Sequence, residues 1–176
     1  VTGQRHVVRI AGNADIARGR ARVNADLAAI KAAGVAGGDA LRVRLDAVPD
    51  ANRLLIDARG SAPVGGLVDS YTKLGKPMTF AIGGRGDWAH WDGKVTAALG
   101  GAPLGDLALI ARDGRFRLVG DTMPGVLMEG PVERLTAPKL AIDLDAMLGE
   151  RRADLKFNAR SAALTVDAIG ALDLGQ

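Results

Sequence analysis

Few residues in this chain are of types that do chemistry, and their spacing keeps them apart. The 176 residues hold two histidines, His6 and His90, and no cysteine. Neither histidine has a second histidine or a cysteine at helix or strand spacing, and a metal site needs several convergent donors, so both read as structural or surface side chains. Without cysteine there are no disulfides and no thiolate metal sites. The carboxylates are almost all Asp. Asp143 and Asp145 share one face of a predicted strand, as do Asp106 and Arg112 on another. Paired acids can do acid–base work, yet strict alternation accounts for their positions, since a wet face needs charge. No serine has a His/Asp partner set or a nucleophile-elbow frame. Gly83-Gly84-Arg85-Gly86 invites comparison with a phosphate-binding loop, but Ala89 stands where the third glycine belongs and no helix follows. A turn is expected there. Arg85-Gly86-Asp87 spells the RGD tripeptide, which would need an exposed loop tip to act in adhesion. Trp88 and Trp91, the only tryptophans, read as rings packing a corner between strands, with stacking on a ligand as the alternative. The expectation is therefore a protein that is not an enzyme and uses no metal and no cofactor.

The bulk composition bounds the remaining classes. Hydrophobic residues make up 48% of the chain and aromatic residues only 3%, so any apolar surface is built of small and aliphatic side chains. Twenty-four glycines favour many turns over long helices. The net charge of +3 is small, and Arg and Asp are interspersed, with no basic block of the kind that marks a nucleic-acid footprint. No apolar run reaches the roughly 20 residues of a spanning helix. Aromatic residues are too few for the two girdles of a transmembrane barrel. The chain begins at Val1 and alternates almost to Gln176, which suggests a single β-rich segment, 1–176, excised from a longer repetitive protein.

Alternation with a period of two dominates the elements that would position these residues. His6–Ile10, Ala17–Leu27, Leu41–Val48, Arg53–Gly60, Pro77–Gly84, Asp92–Leu99, Leu104–Ala111, Arg115–Asp121, Lys139–Ala146, Ala153–Arg160 and Ala163–Ala168 are predicted strands, and Ala171–Leu174 starts another. In Ala17–Leu27, Arg18, Arg20, Arg22, Asn24 and Asp26 point opposite to Ala21, Val23, Ala25 and Leu27. Asp113-Gly114 is a strong two-residue hairpin signal. Ala28–Ala36 reads as helix or, given Gly34, Gly37 and Gly38, as loop. Met123–Pro138 reads as a break. One helix is expected as an insertion at about 61–75. Val64, Leu67, Val68, Tyr71 and Leu74 form an apolar stripe on Pro63–Leu74, with Ser61 as cap and Gly75 closing it.

One set of strand positions stands out as a continuous apolar face: Val43, Leu45, Leu54, Ile56, Met78, Phe80, Ile82, Leu107, Leu109, Phe116, Leu118, Leu140, Ile142, Leu144, Leu155 and Phe157, with Leu164 and Val166 beyond them. Such a face is either the closed core of a sandwich or barrel or an open channel for acyl chains. Alternation alone leaves both standing.

The central stretch, LLIDARGSAPVGGLVDSYTKLGKPMTFAIGGRGDWAHWDGKVTAALGG followed by GDLALIARDGRFRLVGD, resembles the β-rich body of the TamB family (translocation and assembly module subunit, within the AsmA-like group). The resemblance rests on Asp57-Ala58-Arg59, Pro63–Leu74, Met78–Gly83, Gly84–Gly93 and Asp113–Asp121, and covers about the middle 70 residues. It implies a mainly β fold: an elongated, U-shaped, taco-like, meandering antiparallel sheet with an aliphatic groove and one short amphipathic helix. It further implies a periplasmic place in an inner-membrane-anchored protein of Gram-negative bacteria, bound to phospholipid acyl chains in transit between membranes and to outer-membrane biogenesis. The outer-membrane barrel TamA would be the parent protein's partner, through segments other than this one. The sixteen face residues would line the groove, and Val64, Leu67, Val68 and Tyr71 would act as a helix gate across it. The contrasting expectation is a structural β-solenoid passenger or adhesin-type domain with a closed core. A small β enzyme domain is a third.

Overall fold

A computed structural model describes residues 6–17, 20–31, 38–127, 130–149 and 152–173. They form one open, uncurled antiparallel sheet of eleven strands in which spatial order equals chain order. The strands are β1 (His6–Ala17), β2 (Arg20–Lys31), β3 (Ala40–Val48), β4 (Arg53–Ala62), β5 (Met78–Gly86), β6 (His90–Leu99), β7 (Ala102–Arg112), β8 (Arg115–Thr122), β9 (Leu140–Leu148), β10 (Arg152–Arg160) and β11 (Thr165–Asp173). The extensive strand-to-strand contacts all join sequence neighbours.

Successive connections alternate between the two ends of the sheet. One end carries tight hairpins. At Asp113-Gly114 both residues have positive φ, 46° and 82°, the two-residue geometry whose twist matches the flanking strands. The other end carries the longer crossings and both α-helices: α1 (Leu67–Thr72) between β4 and β5, and α2 (Pro131–Thr136) between β8 and β9. Each is only six residues long. A helix that short is marginal unless docked.

Several expectations change here. Among the described residues there are two α-helices, not one, because Pro131 starts a turn of helix inside the stretch expected as a break. The inserted helix has half its expected length. Ser61 belongs to β4, and Gly66 is the first helix-boundary residue, its own side chain being absent. The capping oxygens come from afar: the Asp39 carboxylate accepts the Leu67 and Val68 N–H groups, the latter at 3.1 Å. Lys73 and Gly75, both at positive φ, end the helix side of the loop. Ala28–Lys31 continues β2 instead of turning helical, since Leu27 and Ala28 still pair with Leu41 and Ala40. Arg18, Gly34, Gly37 and Leu174 lie outside the described residues, as does the rest of the predicted helix-or-loop after Lys31. Ala171–Leu172 is not a new strand but the end of β11.

One irregularity adjusts the register. Leu99 faces Ala102 and Ala98 faces Pro103, but Ala97 faces Gly105, so Leu104 is an extra residue on β7. Proline cannot donate to a ladder, and a bulge is where a sheet tolerates it. The Leu104 carbonyl accepts the Met123 N–H at 2.9 Å. Across the same strand lies Gly120, with φ of 153° and with the place of a Cβ only 2.2 Å from the Asp106 carbonyl oxygen. Any side chain there must push the β7 backbone away. Gly120→Ala should therefore cost about 2 kcal/mol or more, read as a lower urea midpoint. At Gly170 a Cβ would meet nothing within 4 Å, and Gly170→Ala should be neutral or slightly stabilising.

Candidate functional site: the two faces of the sheet

Register decides which side chains share a face, because alternate residues point to opposite sides. Leu45 lies opposite Ile56, and Val43 opposite Ala58. Ile56 lies opposite Gly84, and Ala58 opposite Ile82. Phe80 faces Ala97 and Ile82 faces Val95; Val95 and Gly93 then face Leu107 and Leu109. Leu109 meets Leu118, which meets Leu144, which meets Phe157. Phe116 and Leu155 flank Ala146, and Ile142 lies opposite Gly120. Leu54 faces Ala47, Met78 faces Ala62, and Leu140 faces Thr122. All sixteen predicted face residues thus fall on one side of the sheet. Val166, opposite Ala159, joins them, whereas Leu164 sits in the β10–β11 turn.

The alternation on β2 extends this side through Val23 and Leu27, and β6 adds Trp91, Val95 and Leu99. The β6 contribution was muted in the sequence by Gly93 and Ala97, which carry little or no apolar side chain. Those small residues have a use. The Trp91 indole covers Gly84 and Gly93, where added Cβ atoms would lie 2.2 Å and 2.3 Å from ring carbons. Phe80 covers Gly60 in the same way, at 2.2 Å. Large rings laid over glycines restore the apolar area that the glycines lack. Trp91 is therefore on the face and not at a corner, and it is buried, while Trp88 in the β5–β6 turn is 55% exposed. The Trp91 Nε1–H is buried with no hydrogen-bond partner, a loss of about 1–3 kcal/mol that the ring packing must offset.

This face is not sealed. Leu99, at 2% exposure, is the one large side chain fully buried among the described residues. Most of the others are half-buried by their cross-strand neighbours alone, and Phe116 and Val166 rank as exposed. The helices touch only its end. Leu67 and Val68 of α1 line an almost wholly apolar recess of about 220 Å³ with Leu27, Leu41, Met78 and Phe80. The other two predicted gate residues do not join them: Val64 is 55% and Tyr71 82% exposed. Val64 lies before the helix begins at Leu67, so helical spacing does not carry it to the same side. Two of the four predicted gate residues thus reach the apolar recess and two do not, and the Asp39 carboxylate holds the start of α1 at the sheet end.

The opposite face is ionic. Arg22 pairs with Asp46 at 3.1 Å, Arg42 with Asp26 at 2.6 Å, Lys94 with Asp106 at 2.9 Å, and Arg112 with Asp92 at 2.6 Å. Arg115 grips both oxygens of Asp145, and Arg117 both of Asp143. These guanidinium hydrogen bonds hold the Asp143 and Asp145 carboxyls below their ordinary range, and Arg22 does the same to Asp46. The two acids considered for acid–base work are thus kept ionised by partners, as their place on a wet strand face required. Asp106 and Arg112 are likewise engaged across strands. A hollow of about 830 Å³ lies on this side, where long Arg side chains stand around the bare Gly83.

The remaining motifs resolve structurally. Gly83-Gly84-Arg85-Gly86 is part of β5, so neither the expected turn nor a phosphate loop exists there. Arg85 and Gly86 are in that strand, and Asp87 turns its carboxylate onto the N–H groups of Ala89 and His90 at 2.7 Å and 2.6 Å, which removes the loop tip RGD adhesion needs. Those two bonds also lower the Asp87 pKa. His90 stands 3.6 Å from both Asp87 and Asp113. No cluster of metal-type ligands occurs among the described residues. No family model, no curated protein and no solved structure matches the chain.

Two outcomes follow from this geometry. Asp39→Ala should release α1 and cost about 1 kcal/mol, the size of a lost cap, with faster amide exchange confined to residues 66–73. The depressed Asp pKa values set an acid limit. Their stabilisation is complete above the ordinary carboxylate value of 3.8 and is lost as pH falls through the lower folded values. The urea midpoint should drop on going from pH 5 to about pH 2, and the drop should shrink in the double variant Asp143→Asn, Asp145→Asn.

Proposed function

We propose that this chain is a non-enzymatic, TamB-like segment whose apolar face shields phospholipid acyl chains in the periplasm, on their way between inner and outer membranes. The observation that supports this reading is the single-sided register: sixteen aliphatic and aromatic side chains from seven strands on one half-buried face, with the ion pairs on the other. A sliding acyl chain needs continuous apolar contact without deep specific pockets. Alanines, leucines and ring-covered glycines supply such a surface. Each methylene removed from water contributes about 0.8 kcal/mol, so even part of a chain binds usefully. An exposed apolar patch of this extent ordinarily marks an interaction surface. In this reading the sheet curls lengthwise into a U-shaped trough around its cargo. Anchoring in the inner membrane and contact with the barrel partner TamA belong to the parent protein.

Native mass spectrometry of the bacterially expressed chain tests the idea. Co-purifying phospholipid is expected, and it should be lost in Leu109→Arg or in the double change Phe80→Asp, Ile82→Asp. Ile110→Arg, one residue along β7 and on the ionic face, should leave it in place. Lipid-free wild-type protein, or equal loss in Leu109→Arg and Ile110→Arg, would sink the proposal. Tyr71→Ala should have no effect, since that side chain is away from the face.

A further inference from the structure

Gly83 is a glycine that the fold does not require. It lies inside β5, away from positive φ, and a Cβ added there would meet only the Asp57 carboxylate, at an ordinary 3.7 Å. Its neighbours differ: the Trp91 ring occupies the place of a Cβ on Gly84 and on Gly93. Glycine in a strand interior weakens it, and one with no turn, bulge or ring to accommodate marks a place that another molecule can approach closely. Gly83 lines the hollow of about 830 Å³ on the ionic side, a volume within the range of small-molecule sites.

The charges around this hollow do not balance. Five cationic residues, Arg42, Arg44, Arg59, Arg85 and Lys94, line it against three acidic ones, Asp26, Asp57 and Asp92. Arg42 holds Asp26 at 2.6 Å and Arg59 holds Asp57 at 3.2 Å. Lys94 is taken by Asp106 at 2.9 Å, and Arg112 grips both oxygens of Asp92, each partner lying outside the hollow. Arg44 and Arg85 are left over: among the described residues neither side chain has a hydrogen bond or an ion pair. Register accounts for this. Arg44 stands between the neutral Asn24 and an Asp57 that is already held. Arg85 stands between Leu55 and an Asp92 that is already held.

The two unpaired guanidinium groups share one piece of surface. Asp57 faces Arg44 on one side and Gly83 on the other, and Arg85 follows Gly83 by two residues. With strands about 4.8 Å apart and a rise of about 3.4 Å per residue, the Arg44 and Arg85 Cα atoms are about 12 Å apart. Two arginine arms can close that gap on a group held between them. Lys94, opposite Gly83, stands on a third side. Each guanidinium fork can bind two oxygens of a phosphate at once. A phosphate monoester carries a charge of about −1.5 to −2 near pH 7, which matches the two cations in excess. The hollow is larger than a phosphate alone, and the Asp57 carboxylate and the Asn24 amide beside it suit the hydroxyl groups of a sugar.

We propose that this hollow binds a phosphate monoester of sugar-phosphate size, gripped by Arg44 and Arg85 over the bare backbone of Gly83. The site is on the side of the sheet away from the apolar face and stands independently of what that face binds. The test is isothermal titration calorimetry at low salt with glucose 6-phosphate, and with glucose as the uncharged comparison. Saturable one-to-one binding is expected for the phosphate and none for the sugar. Arg44→Gln and Arg85→Gln should each weaken binding about tenfold or more, the loss of a charge-assisted contact. Lys156→Gln removes an equal charge from the same side of the sheet, outside the hollow, and should change it less than about twofold. Gly83→Val fills the hollow where a Cβ has room, so it should abolish binding while the urea midpoint holds or rises. Flotation with phosphatidylcholine vesicles, with and without phosphatidic acid, tells the source of the phosphate. Flotation that needs phosphatidic acid, Arg44 and Arg85 assigns the site to a lipid headgroup; its absence beside calorimetric binding assigns it to a soluble ester. No saturable binding of either phosphate, equal weakening in Lys156→Gln, or undiminished binding in Gly83→Val would overturn the proposal.

Discussion

Antiparallel register is the constraint on which everything else in this molecule rests. Because side chains alternate, a slip of one residue between any two strands would carry every later apolar side chain to the ionic side. A slip of two would preserve sidedness, and the apolar face alone offers little resistance to it, since leucine next to alanine packs much like alanine next to leucine. The ion pairs supply that resistance. Arg22 stands directly opposite Asp46, and Arg42 opposite Asp26, across β2 and β3, and a slip of two would set Arg22 against Arg44 or Val48 instead. At such exposed positions each pair is individually weak. Their value lies in discriminating between registers that hydrophobicity treats as equal.

The strands were legible in the sequence for the same reason. Arg42, Arg44 and Asp46 against Leu41, Val43 and Leu45 needs no partner to be recognised, and sidedness then follows residue by residue. The Asp113-Gly114 hairpin was legible because its backbone geometry demands those residue types. What was not legible depends on contacts between distant residues. Asp39 caps a helix 28 positions later, so Ser61, the local candidate, was the wrong choice. The Leu104 bulge corrects a phase that periodicity alone would carry straight through. Trp91 belongs to the apolar face only because Gly84, on another strand, leaves room for its ring. A second layer over the face is likewise a property of the fold, invisible to alternation.

Aromatic rings over glycines show how the face manages with few large residues. Bare glycine in a strand interior weakens it and leaves nothing to pack. Phe80 over Gly60 and Trp91 over Gly84 and Gly93 return that area with two side chains. They also keep the backbone beneath them close to the ring, which flattens the local surface. The ionic side has no such cover at Gly83, and that is where the sheet hollows.

The order of the strands has a consequence for how such a sheet can change in size. A meander in which each strand leans only on its sequence neighbours resembles a linear array, where stability is a sum of units and junctions. Inserting or deleting a hairpin restores the same chain direction, the same end for long crossings and the same allocation of faces. Width can therefore grow in steps of two strands, about 10 Å at the usual strand spacing, with neither surface redesigned. In such a lineage, overall span would be among the easiest traits to alter and the pairing code of each junction among the hardest.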